Sequence, residues 1–256
     1  MSRLFLLLAL LPSWLLAGEP ARPSPTLPGT HFLGDDLRAL QADDFANPGM
    51  LWVARGEEYW MQPPASGAKA CAGCHGPAAE SMKGAASRYP RHDPVLGRVV
   101  NLDGRIDACN RRHQAGEGFA PNSPMALALG AFVAHQSRGS PMAVSIEGPA
   151  RATFERGRAL FGTRIGQLNL ACRHCHDANW GKTLLAEPIS QGQPTGWPAY
   201  RLDWQSLGSL QRRLRACFSG VRAEPPAYGS DDLVALELFL AWRARGLPVE
   251  APAVRR

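Results

Sequence analysis

Cys71-Ala-Gly-Cys74-His75 has a counterpart in the second half of the chain, Cys172-Arg-His-Cys175-His176. Both read Cys-x-x-Cys-His, the pattern that attaches a c-type haem: two thiols form thioethers with one porphyrin, and the adjacent His supplies an axial nitrogen to its iron. Two copies account for four of the six cysteines, and each of the other two, Cys109 and Cys217, follows one motif. The expectation is two covalent haem c groups, held by Cys71 and Cys74 and by Cys172 and Cys175, with His75 and His176 as metal ligands.

Outward from the motifs the flanks repeat. Gly56 and Gly157 stand equally far ahead of their motifs, and each is followed one helical turn later by an aromatic, Trp60 or Phe161. The segment Leu129 to Gly139, with Phe132 and Arg138, sits in register with Leu236 to Gly246, with Phe239 and Arg245. The closing glycines lie slightly further apart than the motifs do, so the second half carries a small insertion. In the first half, Gly49 to Met61 has helical spacing and stops at Pro63-Pro64, and Ser123 opens a second helix ending at Gly139. The segments Met82 to Pro90 and Val99 to Cys109 read as loops. A glycine on the first helix lets it cross closely over an aromatic-bearing last helix, which gives a small haem domain a core from few residues. The predicted fold is mainly α, two tandem class I cytochrome c domains, each around one covalently bound haem c. The predicted boundaries are a signal peptide at 1–17, an N-terminal extension at 18–46, and domains at 47–145 and 146–256.

The start of the chain predicts export. Arg3 precedes an apolar run from Leu4 to Leu16, with a small-residue exit at Ala17-Gly18, and that run is too short for a membrane span. No later stretch is apolar enough to cross a bilayer, so the expected location is the periplasm without a membrane span. The 256 residues carry a formal net charge of +6. Losing Arg3 with the signal lowers it by one, and four haem propionates offset most of the rest. No basic run has the interleaved aromatics of a nucleic-acid surface, so no nucleic-acid partner is expected. Ala21 to Pro28 is a Pro-rich lead-in, and His31 to Phe45 reads as a short helix and loop covering something.

The ligand opposite each histidine decides whether a haem only carries electrons or also does chemistry. After His176 there is no further His and no Met, and Arg cannot coordinate. Either Cys217 binds the second iron or that position is open to water. For the first iron, Met82, His92, His113, Met125, Met142 and Cys109 all lie downstream of His75. Repeat symmetry favours Cys109, which follows His75 much as Cys217 follows His176 once the insertion is allowed for. The competing use of these two thiols is a Cys109–Cys217 disulfide, suited to an oxidising compartment.

Four arginines, Arg212, Arg213, Arg215 and Arg222, bracket Cys217. A charge run of this kind is ordinarily a solvated helix face, but this one surrounds a cysteine that has to face a haem. Nearby cations depress a thiol pKa and attract oxyanions through charged hydrogen bonds, so the residues point to a nucleophilic, haem-coupled thiolate that handles a small dianion.

These residues resemble the SoxA family, the dihaem subunit of the SoxAX cytochrome of sulfur oxidation. The most specific parts are Met82-Lys-Gly-Ala-Ala-Ser-Arg-Tyr-Pro90, Gly166-Gln-Leu-Asn-Leu-Ala-Cys172, Tyr200 to Leu210, Val221-Arg-Ala-Glu-Pro225 and the tail Pro252-Ala-Val-Arg-Arg256. The resemblance implies an L-cysteine S-thiosulfotransferase that joins thiosulfate oxidatively to a cysteine of a SoxYZ carrier protein. Its implied partners are a SoxX-type monohaem cytochrome subunit and a soluble cytochrome c acceptor. It implies the axial pairs His75 with Cys109 and His176 with Cys217, Cys217 as the reactive sulfur, carried in the family as a persulfide, and Arg213 as substrate-holding, with Arg243 a second candidate. One departure stands out: the family tends to read Ile-Asn-x-Cys-Arg where this chain has Ile106-Asp-Ala-Cys109-Asn110. Two other functions stay open, a dihaem electron carrier without a substrate site and a thiosulfate dehydrogenase that forms tetrathionate.

Overall fold

A computed structural model describes residues 22–256, so the signal segment expected at 1–17 lies outside the described residues. Its helices run α1 Asp35–Ala42, α2 Gly49–Met61, α3 Cys71–His75, α4 Ala78–Ser81, α5 Leu102–His113, α6 Pro124–His135, α7 Arg151–Gly162, α8 Cys172–His176, α9 Leu210–Gly220 and α10 Asp231–Arg243. Its strands are short: β1 Arg91–Asp93 pairs with β2 Arg98–Val100, β3 Thr183–Leu184 with β4 Glu187–Pro188, and β5 Ala199–Arg201 lies between β6 Ser206–Gly208 and β7 Ala253–Arg255. The fold is the mainly helical cytochrome c fold.

Two helix pairs carry it, α2 with α6 and α7 with α10. α6 and α10 are buried along most of their length, as a helix must be when it is apolar on nearly every face. Serine caps start both: Ser123 accepts from the Ala126 N–H and Ser230 from the Leu233 N–H. The crossings are backbone to backbone. A Cβ on Gly56 would lie 2.1 Å from the Ala128 carbonyl oxygen and 2.6 Å from Phe132 Cβ, and one on Gly157 would lie 2.0 Å from the Ala235 oxygen and 2.9 Å from Phe239 Cβ. Ala128 and Ala235 are separated by the same offset as Phe132 and Phe239, so the two crossings are the same contact made twice.

The repeat extends to a two-fold relation between the halves. Pro141 bridges Pro248. Gly139 N–H donates to Val249 O as Gly246 N–H donates to Met142 O, and Met142 N–H donates to Leu247 O as Val249 N–H donates to Ser140 O, all at 2.9 Å. Exchanging equivalent residues of the two halves turns each bond into its partner, as an isologous contact requires. The cores interlock across this junction. Leu207 packs with Trp60 and Phe132, while Val99, Ala134 and Met142 join the cluster of Phe154, Phe239 and Trp242.

Where Val99 to Cys109 was expected to be loop, α5 begins at Leu102. Asn101 Oδ1 accepts from the Gly104 N–H at 2.8 Å, and Arg111, Arg112 and His113 occupy the last turn, where cations complement the helix dipole. Only part of α5 packs apolar, so hydrophobic periodicity could not announce it. The N-terminal extension does cover something: it straps the C-terminal tail. Buried Gln41 accepts from the Val254 N–H, buried Asn47 donates to Pro252 O, and Thr30 Oγ1 donates to Glu250.

A buried carboxyl sits at the junction. Glu237 on α10, where the first half has Gly130, is 4% exposed. Together with Asn101, Asp103 and Ser209 it lines a cavity of about 90 Å³. Burial, and then Asp103, push its pKa up to about 8, against the neighbouring Asn101 and Gln211 side chains, which lower it.

Gly157→Ala is expected to destabilise the protein by about 1–3 kcal/mol, the usual range for overpacking. Gly162→Ala, which meets nothing within 4 Å, is expected to change stability by under about 1 kcal/mol, in the favourable direction. Denaturant midpoints of the two variants check both. For Glu237 the sign follows from linkage: the unfolded side chain ionises near its ordinary value of 4.5 and the folded one near 8. Folding therefore takes up a proton between those values, and stability falls as pH rises through the window. Glu237→Gln is expected to flatten that fall, measured as denaturation midpoints at pH 5 and pH 8.

Candidate haem and thiolate site

Each Cys-x-x-Cys-His motif forms a single helical turn, α3 or α8, which brings its two thiols onto one side with the His just beyond. In the first, Trp60 packs on His75 with ring centroids 5.6 Å apart and donates to Gly76 O at 3.3 Å, so the α2–α6 crossing holds the motif. Cys109 comes from α5 to the same place: burial, and then the neighbouring Cys109 sulfur, raise the Cys71 thiol above its ordinary value. Of the alternative ligands, Met142 is buried at the junction, Met125 is 41% exposed and His113 is exposed. Met82 packs against the core cluster that contains Trp60. The departing residues of the Ile106 to Asn110 stretch have work of their own. Asp107 Oδ1 accepts from the Phe119 N–H at 2.7 Å and Asn110 Oδ1 from the Gly118 N–H at 3.1 Å, pinning the following loop to α5.

The second motif is held more firmly. His174, the middle residue that faces away from a haem in such geometries, has Nδ1 accepting from the Ala171 N–H at 2.9 Å, and its carbonyl accepts from Asn179. His176 Nδ1 lies 2.7 Å from Ser190 O, so Nδ1 carries the proton and Nε2 is left free to coordinate a metal. Gly192, at φ +74°, approaches so closely that a Cβ would lie 3.2 Å from the His176 ring. Burial first lowers the His176 pKa, the Ser190 bond opposes this, and the Arg213 and Arg243 guanidinium groups lower it further, so the imidazole is neutral and able to coordinate. The Cys172 thiol is pushed up to about 11 by burial and then by the nearby Cys217 sulfur. Both Cys217 and Arg213 are thus neighbours of the second motif. None of the six cysteines is in a disulfide, so Cys109 and Cys217 are not joined to each other. The residues present fit a covalently held haem: paired thiols on one turn, and an imidazole whose far nitrogen is fixed by a backbone carbonyl.

The arginines around Cys217 separate by role. The helix that carries them begins at a serine cap, Ser209 Oγ accepting from the Arg212 N–H at 3.2 Å. Arg212 lies 4.1 Å over the Trp204 ring. Arg215 lies 4.5 Å over Tyr228 and donates to Pro225 O at 3.2 Å and to Pro226 O, which ties down the loop after α9. Arg222 is exposed in a left-handed turn at φ +58°. Arg213 alone of the four is left facing His176, and its guanidinium has no hydrogen bond or ion pair among the described residues. Arg243 is 2% exposed, donates to Asp177 Oδ1 at 2.5 Å and lies 4.6 Å over Phe161. The charge run around Cys217 gives no sign of Arg201, which reaches the same neighbourhood from β5, well upstream.

Fold and motifs define a cytochrome of the covalent haem c class, and residues 55–142 match the family model described as the SoxA/TsdA cytochrome c domain. The chain is 41% identical over 231 residues to the L-cysteine S-thiosulfotransferase subunit SoxA of Pseudaminobacter salicylatoxidans, covering 90% of this chain and 81% of that protein. It is 38% identical to the subunit of the same name from Paracoccus pantotrophus, covering 89% and 78%. The crystal structure of SoxXA from P. pantotrophus superposes with a TM-score of 0.87 at 36% identity over 92% of each chain. The chain belongs to the SoxA family.

Proposed function

We propose that this chain is the catalytic dihaem subunit of a periplasmic L-cysteine S-thiosulfotransferase, coupling thiosulfate oxidatively to a carrier-protein cysteine. The observation that carries the reading is the free Cys217 sulfur beside the second motif, with the unpaired Arg213 guanidinium one helical turn before it. The relatives' name supports the reaction class, and the close match to a chain of the SoxXA complex supports a SoxX-type monohaem partner. Domains at 47–145 and 146–256 each hold one haem c, through Cys71, Cys74, His75 and Cys109 in the first and Cys172, Cys175, His176 and Cys217 in the second.

The chemistry balances on this chain's own groups. Arg213 holds the dianion by charged hydrogen bonds, and Arg243, fixed on Asp177, adds positive field to the same pocket. The Cys217 thiolate forms an S–S bond to the sulfane sulfur of thiosulfate, giving Cys217–S–S–SO3⁻ as two electrons leave. The SoxYZ-type carrier thiolate then attacks that sulfane sulfur, the bond to Cys217 breaks, and Cys217 departs as thiolate. The carrier keeps S–SO3⁻, and its thiol proton passes to water. Bound haem c supplies one-electron acceptors that relay both electrons to the SoxX-type subunit and a soluble cytochrome c. Among the described residues no helix is long and apolar enough to cross a membrane, in keeping with a reaction between exported proteins.

Cys217→Ala is expected to lower thiosulfate addition to the carrier by at least about 10³-fold, as loss of a nucleophile does, while haem content stays at two per chain. Intact mass of the carrier after incubation reads the first and haem quantitation the second. Activity persisting in that variant contradicts the assignment.

A further inference from the structure

Another cation that neither the motif nor the charge run contains lies near Cys217. Arg201 ends β5 and its side chain is 14% exposed. Its guanidinium lies 5.1 Å over the Trp204 ring, which also carries Arg212 at 4.1 Å, so the indole fixes the arginine's direction. Its Nη2 reaches Asp203 Oδ2 at 3.2 Å, but that carboxylate is 65% exposed and offers a weak, screened pair. The Nε is buried and has no hydrogen-bond partner among the described residues. Leaving a donor of a charged group buried and unpaired costs free energy that a bound acceptor would recover.

The surroundings name the acceptor. Burial, and then the Arg213 guanidinium, lower Arg201 below the ordinary arginine value, while Asp203 and the Cys217 sulfur raise it. Arg201 is thus close enough to Arg213 for the two guanidinium groups to repel one another, and the Cys217 sulfur is among its neighbours. Arg255, next to Arg201 in register on β7, is itself lowered by burial and then by Arg201, although Glu250 pairs with it. Two like charges held together, one without any partner and one with an idle buried donor, make a site for a doubly charged oxyanion. Separate elements present them, Arg213 from α9 and Arg201 from the sheet, so they can grip an anion from two sides. With thiosulfate as the substrate, the sulfonate end is what two forked cations hold, which leaves the sulfane sulfur directed at Cys217.

We infer that Arg201 is a substrate-binding residue for the sulfonate group of thiosulfate, acting opposite Arg213. This role rests on the proposed reaction and is tested apart from it. In the haem-loaded protein with its cytochrome partner, Arg201→Met is expected to raise the KM for thiosulfate about tenfold to a hundredfold at saturating carrier, the weight of one charged hydrogen bond, with a smaller change in kcat. Calorimetric titration of the oxidised complex with thiosulfate alone is expected to show the same loss of affinity, and the low-temperature EPR spectrum is expected to be unchanged. Arg201→Lys, which keeps the charge but not the fork, is expected to recover part of the loss. Unchanged KM and unchanged thiosulfate affinity in Arg201→Met overturn the inference. So does a loss that comes with an altered EPR spectrum and persists undiminished in Arg201→Lys, which marks a packing role. Failure of the unmodified complex to add thiosulfate to the carrier thiol overturns the underlying reaction instead.

Discussion

With no side chain at Gly157, the Ala235 carbonyl can sit where a Cβ would have come within 2.0 Å, and the rest of the C-terminal half follows from that approach. The crossing stacks Phe161 and Phe154 on Phe239, with ring centroids 5.2 and 5.7 Å apart, and Trp242 closes the group at 6.0 Å from Phe239. These rings are a large share of the apolar surface available to so small a half. Directly on this core rests the guanidinium of Arg243, which reaches Asp177, the residue after His176. A helix crossing thus helps to position the motif's histidine. The same contact at Gly56 sets Trp60 against His75, so one packing solution serves both motifs.

Around Cys217 the electrostatics run against stability. Arg213 lowers Arg201 by repulsion, and the carboxylate that pairs with Arg201, Asp203, is largely exposed; like charges held near one another matter most where water is scarce. Such frustration is common at sites that bind, because the missing partner is the ligand. Two other arginines of the run serve structure, Arg212 on Trp204 and Arg215 on Tyr228 and the loop carbonyls. They hold α9 in place, while Arg213 lies close enough to His176 to act on its charge.

Much of this was legible in the residues, and the reasons differ by element. The paired motifs and the glycine–aromatic registers could be read because helix contacts at fixed spacing leave a periodic trace, and the Gly56 and Gly157 crossings meet the closing helices where the registers pointed. α5 was missed because Asn101, not an apolar stripe, begins it. The three-stranded sheet joining Tyr200 to Val254 was not foreseen, since such short strands with a partner far along the chain leave no local pattern. For the same reason Arg201 was invisible: its place near Cys217 comes from sheet pairing and not from sequence proximity. The N-terminal strap was seen only as a covering segment, because polar groups such as Gln41 and Asn47 find their partners in the distant tail.

Everything proposed for the C-terminal half turns on the Cys217 sulfur standing opposite His176 at the second haem. Low-temperature EPR of the fully oxidised protein, compared with Cys217→Ala, tests this most directly. Low-spin ferric signals with the compressed g-value spread of thiolate ligation are expected, with the component from the second haem lost in the variant and that from the first retained. A spectrum of histidine–methionine type, or one that Cys217→Ala leaves unaltered, would contradict it.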